Sequence, residues 1–296
     1  LAKVSILMNG YNCEKHLNES INSIYSQDFT DWEIVFIDNC STDSTKKIIN
    51  EYDEKIKYYK TSKNIPLGEA RNFGIQFCKG EYLAFLDTDD IWLKEKLKEQ
   101  VSLMDLNKDL QMCYTGGYYI DYNSNKIGSF IPKARTGNVF EKQLLNYEIN
   151  MQSVVIRNNI HLEFNKNMMF CPDYDLFMKI VFKYNVGVIN KPLVEYRRYE
   201  NSLTNLKIDR WWIEVKQTLD DIFDLNTDLK KKYKKGYTYA YSKVYYYKAA
   251  YFMSINKNKD AKKLMSQIKF NRIEYFILYI ALLFNKKIWY LIHKYK

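Results

Sequence analysis

Four short apolar runs, at residues 3–8, 32–37, 56–59 and 82–86, alternate with stretches of helical spacing, and this alternation constrains the chain more than any other feature. The helical stretches lie at about 13–26, where Leu17, Ile21 and Ile24 share a face, after the capping run Ser41-Thr42-Asp43, and at 67–78. A strand apolar at nearly every position has to be covered on both faces, and strands joined through helices run parallel. The order βαβαβαβ over the first 115 residues therefore predicts an α/β fold, a mostly parallel central sheet with helices on both faces. From 111 to 196 the pattern is mixed, with strands expected at 112–115, 126–131, 153–156, 186–189 and 193–196 and helices near 139–146 and 173–182. From Lys207 onward everything reads helical, including a helix-turn-helix pattern at 229–268 that is too short for a repeat array.

In such a sheet, ligands gather at the carboxyl ends of the strands. The residues there are Asn9-Gly10-Tyr11-Asn12, then Asp38-Asn39, then Asp87-Thr88-Asp89-Asp90. No G-x-G-x-x-G or phosphate-binding glycine loop follows the first strand, so a nucleotide has to be held by side chains and a metal. Three carboxylates within four residues are costly unless a cation joins them. Hard oxygen ligands suit Mn²⁺ or Mg²⁺, which binds through one or two carboxylates and completes its shell with phosphate and water. The plainer alternative is that Asp89 and Asp90 cap a helix beginning near Trp92.

Taken in order, Val4-Ser5-Ile6-Leu7-Met8-Asn9-Gly10-Tyr11-Asn12, Glu33 to Asp43, Gly68-Glu69-Ala70-Arg71-Asn72 and Gly80 to Asp90 resemble the family-2 glycosyltransferases of the GT-A fold. The resemblance covers residues 3–205 and implies a UDP-sugar donor. It implies that Asn9, Tyr11 and Asn39 hold the base, that Arg71 approaches the base or diphosphate, that Asp87 meets the ribose or sugar and that Thr88 belongs to the same donor site. The plainer alternatives are a core aromatic for Tyr11, a turn residue for Asn39 and an ion-pair partner for Arg71. Asp89, with Asp87, is implied to bind Mn²⁺ or Mg²⁺. Cys171-Pro172-Asp173-Tyr174-Asp175-Leu176-Phe177 looks like the family's E-D-Y-D-L-W segment, which implies that Asp173 is the base that takes the acceptor hydroxyl's proton in an inverting transfer, a helix cap being the alternative because it also opens a helix. Further on, Tyr196-Arg197-Arg198-Tyr199 resembles the family's Y-R-x-H. Tyr199 stands where the family has a His that contacts the metal or diphosphate and is not assigned to the metal, while Arg197, Arg198 and Tyr199 are candidates for the diphosphate or acceptor, with a purely structural role as the equal alternative.

Charge divides the chain in two. Residues 206–296 carry 20 Lys and Arg against 8 Asp and Glu, leaving 25 against 27 before them, although the whole chain has a formal charge of +10. The expected organisation is a GT-A domain at 1–205 and a basic, Tyr-rich helical region at 206–296. The ten-residue apolar stretch 275–284 is short of the roughly 20 residues a span needs, so an interfacial role on an anionic membrane is expected, with simple packing as the alternative. Five scattered cysteines and a start directly on an apolar strand favour a reducing setting, here the inner face of the plasma membrane. The acceptor expected there is a lipid-linked glycan. The competing readings are a nucleotidyltransferase, disfavoured by the missing glycine loop, and a basic nucleic-acid-binding protein, which leaves the carboxylates without a purpose.

Overall fold

A computed structural model describes residues 1–198, 211–268 and 273–284. Two compact units emerge, one of residues 1–140 and 148–202, the other of residues 141–147 and 203–296.

The first unit is built on one nine-stranded sheet. Its parallel half comprises β1 (Val4–Gly10), β2 (Trp32–Asp38), β3 (Ile56–Lys60) and β4 (Tyr82–Phe85), in the spatial order β3-β2-β1-β4. Strand alternation sorts their side chains. Val4, Ile6 and Met8 enter a core with Leu17, Ile21 and Ile24 of α1 (Leu17–Tyr25) and Leu97, Val101 and Met104 of α4 (Lys96–Leu106). Leu7 and Ile37 point the other way, against Gly74 of α3 (Leu67–Ile75), where any Cβ would collide with the Leu7 side chain. Helices thus cover both faces. The short α2 (Thr45–Ile49) lies between β2 and β3.

Beyond β4 the sheet becomes mixed. β8 (Val155–Arg157) runs antiparallel to β4 and to β6 (Leu110–Ile120), and β9 (Asn185–Arg197) runs parallel to β6. β7 (Lys126–Phe130) folds back on β6, and the two-residue β5 (Ile91–Trp92) pairs with β9. The two short strands expected at 186–189 and 193–196 are one continuous β9, and β6 is far longer than 112–115. Register shifts at Thr115, Gly116 and Gly117 break the side-chain alternation there, which is why pattern alone splits these strands. No helix begins near Trp92, which belongs to β5.

The second unit is helical. α5 (Phe140–Leu145) contributes most of its length here, joined by α7 (Trp211–Phe223), α8 (Asp228–Lys232), α9 (Lys234–Ser254), α10 (Asn258–Met265) and α11 (Ile273–Phe284). The helix near 139–146 therefore falls largely outside the body in which its sequence position places it. Tyr246, Ala249, Ala250 and Met253 of α9 pack with Ala261 and Met265 of α10 and with Tyr275 and Leu278 of α11. α6 (Pro172–Lys183), in the first unit, completes the helices.

Candidate active site

The chain runs outward from β1 to β2 to β3 and then returns to the far side of β1 as β4, so direction switches between β1 and β4. Register places the strand ends side by side. Gly10 is level with Asp38, and Leu86 donates its backbone N–H to Leu7 at 3.2 Å.

The loops leaving these ends are laced together. Asn12, at φ 50°, donates its N–H to Ser41 Oγ at 3.0 Å and accepts from the Thr42 N–H at 2.9 Å. Glu14 N–H reaches Asp43 at 3.1 Å, and Glu14 in turn accepts from Ser44 N–H at 2.8 Å. Asp43 is held below the ordinary carboxylate range by the hydrogen bonds it accepts, which outweigh its burial. Gly10 is required where it stands, because a Cβ would meet Cys13 Sγ and lie 3.1 Å from Thr88 Cγ2. Thr88 is thereby seated directly against the first loop. Tyr11 is 53% exposed beside it, a ring available for stacking.

Asn39 is buried, with its carbonyl oxygen accepting from Thr61 Oγ1 at 3.1 Å and Ile65 N–H at 3.0 Å while its amide donates to Ile65 O at 2.8 Å. It shapes the 61–65 loop that leads into α3. Its neighbour Asp38 is fully buried and accepts from Tyr58 Oη at 2.5 Å and Ser41 N–H at 2.6 Å, which fixes the turn after β2.

Arg71, buried on α3, donates to Asp87 Oδ1 at 2.8 Å and lies over the Phe164 ring at 5.5 Å. Asp87, Thr88 and Asp89 are partly exposed, whereas Asp90 is buried. Asn72, one residue beyond Arg71, clamps the 164 backbone from both sides, accepting from Phe164 N–H at 2.7 Å and donating to Phe164 O at 2.8 Å. That clamp leads the chain toward Pro172 at the first turn of α6, where Pro is favoured, and so to Asp173. Asp173 is partly buried. Burial raises its carboxyl above the ordinary value, the Arg71 charge opposes the rise and Asp87 adds to it. Arg71, Asp87 and Asp173 thus form one electrostatic group. Asp175 has a different role, since it is buried and pairs with Lys179 one turn along at 2.8 Å.

Arg197 takes the structural one of its two alternatives. Its buried side chain contacts Glu19, the carbonyls of Asp89, Asp121 and Tyr122, and Ser124 Oγ, which commits it to the protein. Arg198 lies over the Tyr119 ring at 3.6 Å, and Tyr199 falls outside the described residues. Gln152, which donates to the Asp90 carboxylate, and Cys13 stand in no residue assignment that the sequence supports, and Asn72 stands inside the Gly68–Asn72 motif without a role of its own.

A model of the family described as glycosyl transferase family 2 matches residues 5–175, more than half of the chain. The chain belongs to glycosyl transferase family 2. This glycosyltransferase is 29% identical over 263 residues to an uncharacterised glycosyltransferase of Methanocaldococcus jannaschii, covering 85% of this chain and 88% of that one. It is 31% identical over 215 residues to the Escherichia coli UDP-Glc:alpha-D-GlcNAc-diphosphoundecaprenol beta-1,3-glucosyltransferase WfgD, covering 71% of this chain and 83% of the relative. Among solved structures, Staphylococcus aureus TarS 1–349 in complex with UDP-GlcNAc superposes with a TM-score of 0.71 at 18% identity, over 97% of this chain and 88% of that one. The GT-A fold is the one the sequence motifs imply.

For the glycosyltransferase, the fit of a divalent cation is decided by its oxygen donors. Among the described residues no group of three or more His, Cys, Asp or Glu is arranged to hold a metal with protein ligands alone. Asp87 and Asp89, partly exposed at the strand end, offer hard oxygens of the kind that hold Mn²⁺ or Mg²⁺ together with substrate phosphates. The residues fit that arrangement, and a closed structural site is not what they make.

Proposed function

We propose that this glycosyltransferase moves a hexose or N-acetylhexosamine, glucose favoured, from a UDP-sugar to a lipid-linked glycan with inversion at the sugar carbon. The observation that carries the reading is Asp173, a partly buried carboxyl with a raised pKa coupled to the Arg71–Asp87 pair. The E. coli relative named for UDP-Glc and a diphosphoundecaprenol acceptor supports the choice of donor and acceptor, as does the UDP-GlcNAc complex of the TarS neighbour.

In this reading Asn9, Tyr11 and Asn39 form the base end of the donor site, with the exposed Tyr11 ring stacking. Arg71 orients Asp87 toward the ribose or sugar, and Thr88, held against Gly10, sets the height of the turn. Mn²⁺ or Mg²⁺ on Asp89 and Asp87 would neutralise the leaving diphosphate. Asp173 takes the acceptor hydroxyl's proton as that oxygen bonds to the anomeric carbon. The carbon–oxygen bond to the diphosphate breaks with its electron pair leaving on UDP. The second unit is read as the part that meets an anionic membrane on its cytoplasmic side. Among the described residues no helix is long and apolar enough to cross a membrane.

The test is a UDP-release assay on the full chain with UDP-glucose, UDP-galactose and UDP-N-acetylglucosamine, with and without a short-chain lipid diphosphate-GlcNAc acceptor, and NMR of the product's anomeric coupling. Acceptor-stimulated release from UDP-glucose with an inverted product is expected. A retained configuration, or release that no acceptor stimulates, overturns the reading.

A further inference from the structure

One buried side chain connects the acidic turn after β4 to two distant parts of the first unit. Arg197 is the last residue of β9. Its backbone N–H donates to Asp90 Oδ1 at 2.7 Å and its Nε to the Asp89 carbonyl at 2.7 Å. Asp90's other oxygen accepts from Gln152 Nε2, so this carboxyl is turned into the protein and away from the partly exposed Asp87 and Asp89. The far end of the guanidinium divides between two anchors. Nη1 donates to the carbonyls of Asp121 and Tyr122 and to Ser124 Oγ, each at 3.0 Å, and Nη2 donates to Glu19 Oε2 at 2.6 Å. Glu19, near the start of α1, also accepts from Ser124 Oγ at 2.7 Å through its other oxygen.

A guanidinium is a planar fork with donors in fixed directions, so fixing two of its edges fixes the third. The Asp89 carbonyl is thereby located by Glu19 and the β6–β7 turn, neither of which adjoins it in sequence. A backbone carbonyl held in place fixes the plane of the Asp89–Asp90 peptide, and with it the position of the Cα from which the Asp89 side chain departs.

We infer that Arg197 is a positioning residue for the metal turn, aiming the Asp89 carboxylate through its backbone, and that Glu19 and the 121–125 turn set that aim. The inference rests on the assignment of Asp89 to Mn²⁺ above and goes beyond it, because it concerns side chains engaged with one another and with the protein backbone. A merely structural Arg197 would alter stability and leave the metal affinity of the folded protein unchanged.

The experiment is titration of the full chain with Mn²⁺ in the presence of UDP, followed by the electron paramagnetic resonance signal of free Mn²⁺, with thermal denaturation measured alongside. Glu19→Ala removes the outer anchor from a side chain that is 39% exposed and is expected to fold. Arg197→Lys keeps the charge and loses the fork. Both are expected to raise the Mn²⁺ Kd about tenfold or more, and Glu19→Gln, which keeps an acceptor oxygen, is expected to recover most of the loss. Wild-type Mn²⁺ affinity in Glu19→Ala, whether or not its Tm falls, overturns the inference while leaving the metal assignment standing. No Mn²⁺ binding by the wild-type protein with UDP overturns both.

Discussion

Burial holds two carboxyls of the site, Asp90 and Asp173, above the ordinary range, and they put that shift to different uses. Asp90 accepts hydrogen bonds from the Arg197 N–H and from Gln152 inside the protein, whereas Asp173, in the proposed mechanism, has to be ionised to accept a proton. A raised carboxyl pKa means that the base is lost to protonation at a higher pH than a free Asp. The acid limb of kcat is therefore expected above the range of an unperturbed carboxylate near pH 4. Asp173→Asn is expected to lower kcat by roughly 10² to 10⁴ and to leave the Kd for UDP nearly unchanged, checked by steady-state kinetics and calorimetry. Equal loss of UDP binding would make Asp173 a donor-site residue. Lys96 is a buried group of the opposite sign, its amine over the Trp92 ring at 3.9 Å and without a hydrogen-bond partner. Burial lowers it to about 7. The folded state then binds fewer protons than the unfolded chain between that value and the ordinary 10.5, so its contribution to stability rises with pH across that window. Urea denaturation at pH 7 and pH 9 is expected to show this rise in the wild type. Lys96→Met is expected to flatten it and to stabilise the protein at pH 7 by about 1–3 kcal/mol, the scale of an unsatisfied buried polar group.

Between elements, Asn72 of α3 ties down the backbone at Phe164 that leads into α6, and so bears on the placement of the proposed base. Replacing Asn72 by Ala leaves the Phe164 N–H and carbonyl without their partners, a loss of about 2 kcal/mol. A fall of roughly tenfold in kcat is expected to accompany it through the displaced α6 start, by the usual penalty for misplacing a reacting group. A stability loss with unchanged kcat would show that α6 is placed from elsewhere. These dependencies explain what was readable from the chain. The strands β1 to β4 and helices α1 and α3 are visible because their apolar positions repeat within a few residues and their ends carry turn chemistry. Asp87, Asp89, Arg71 and Asp173 stand in motifs whose local spacing carries them. Arg197 also stands in a recognisable motif, yet its partner Glu19 lies 178 residues away, and no periodicity reports a contact of that kind. β6 and β9 misread for a related reason, since the bulges at Gly116 and Gly117 follow from close approach of Phe130 and Val194 rather than from the strand's own pattern.

At the scale of the molecule, net charge separates the two parts more sharply than any motif does, with 20 basic against 8 acidic residues after position 205. Adsorption to vesicles containing anionic lipid is expected for the full chain at low salt, with partial release at high salt, because lysine attraction is screened and apolar burial is not. Sedimentation with phosphatidylglycerol vesicles checks this, and absence of binding at low salt would reassign the helices to packing or oligomerisation. The second unit also takes residues 141–147 from the middle of the first. Leu144 of that segment packs against Gly236 of α9, where a Cβ would come within 2.9 Å of Leu144 Cδ1. On the ribosome the two are made about ninety residues apart, so at roughly 5–20 residues per second Leu144 waits on the order of 5–20 s for its partner. Through that interval Leu144 lacks the glycine that it packs against in the finished fold, so the order of synthesis, and not only the final contact, decides how long that side chain stays open.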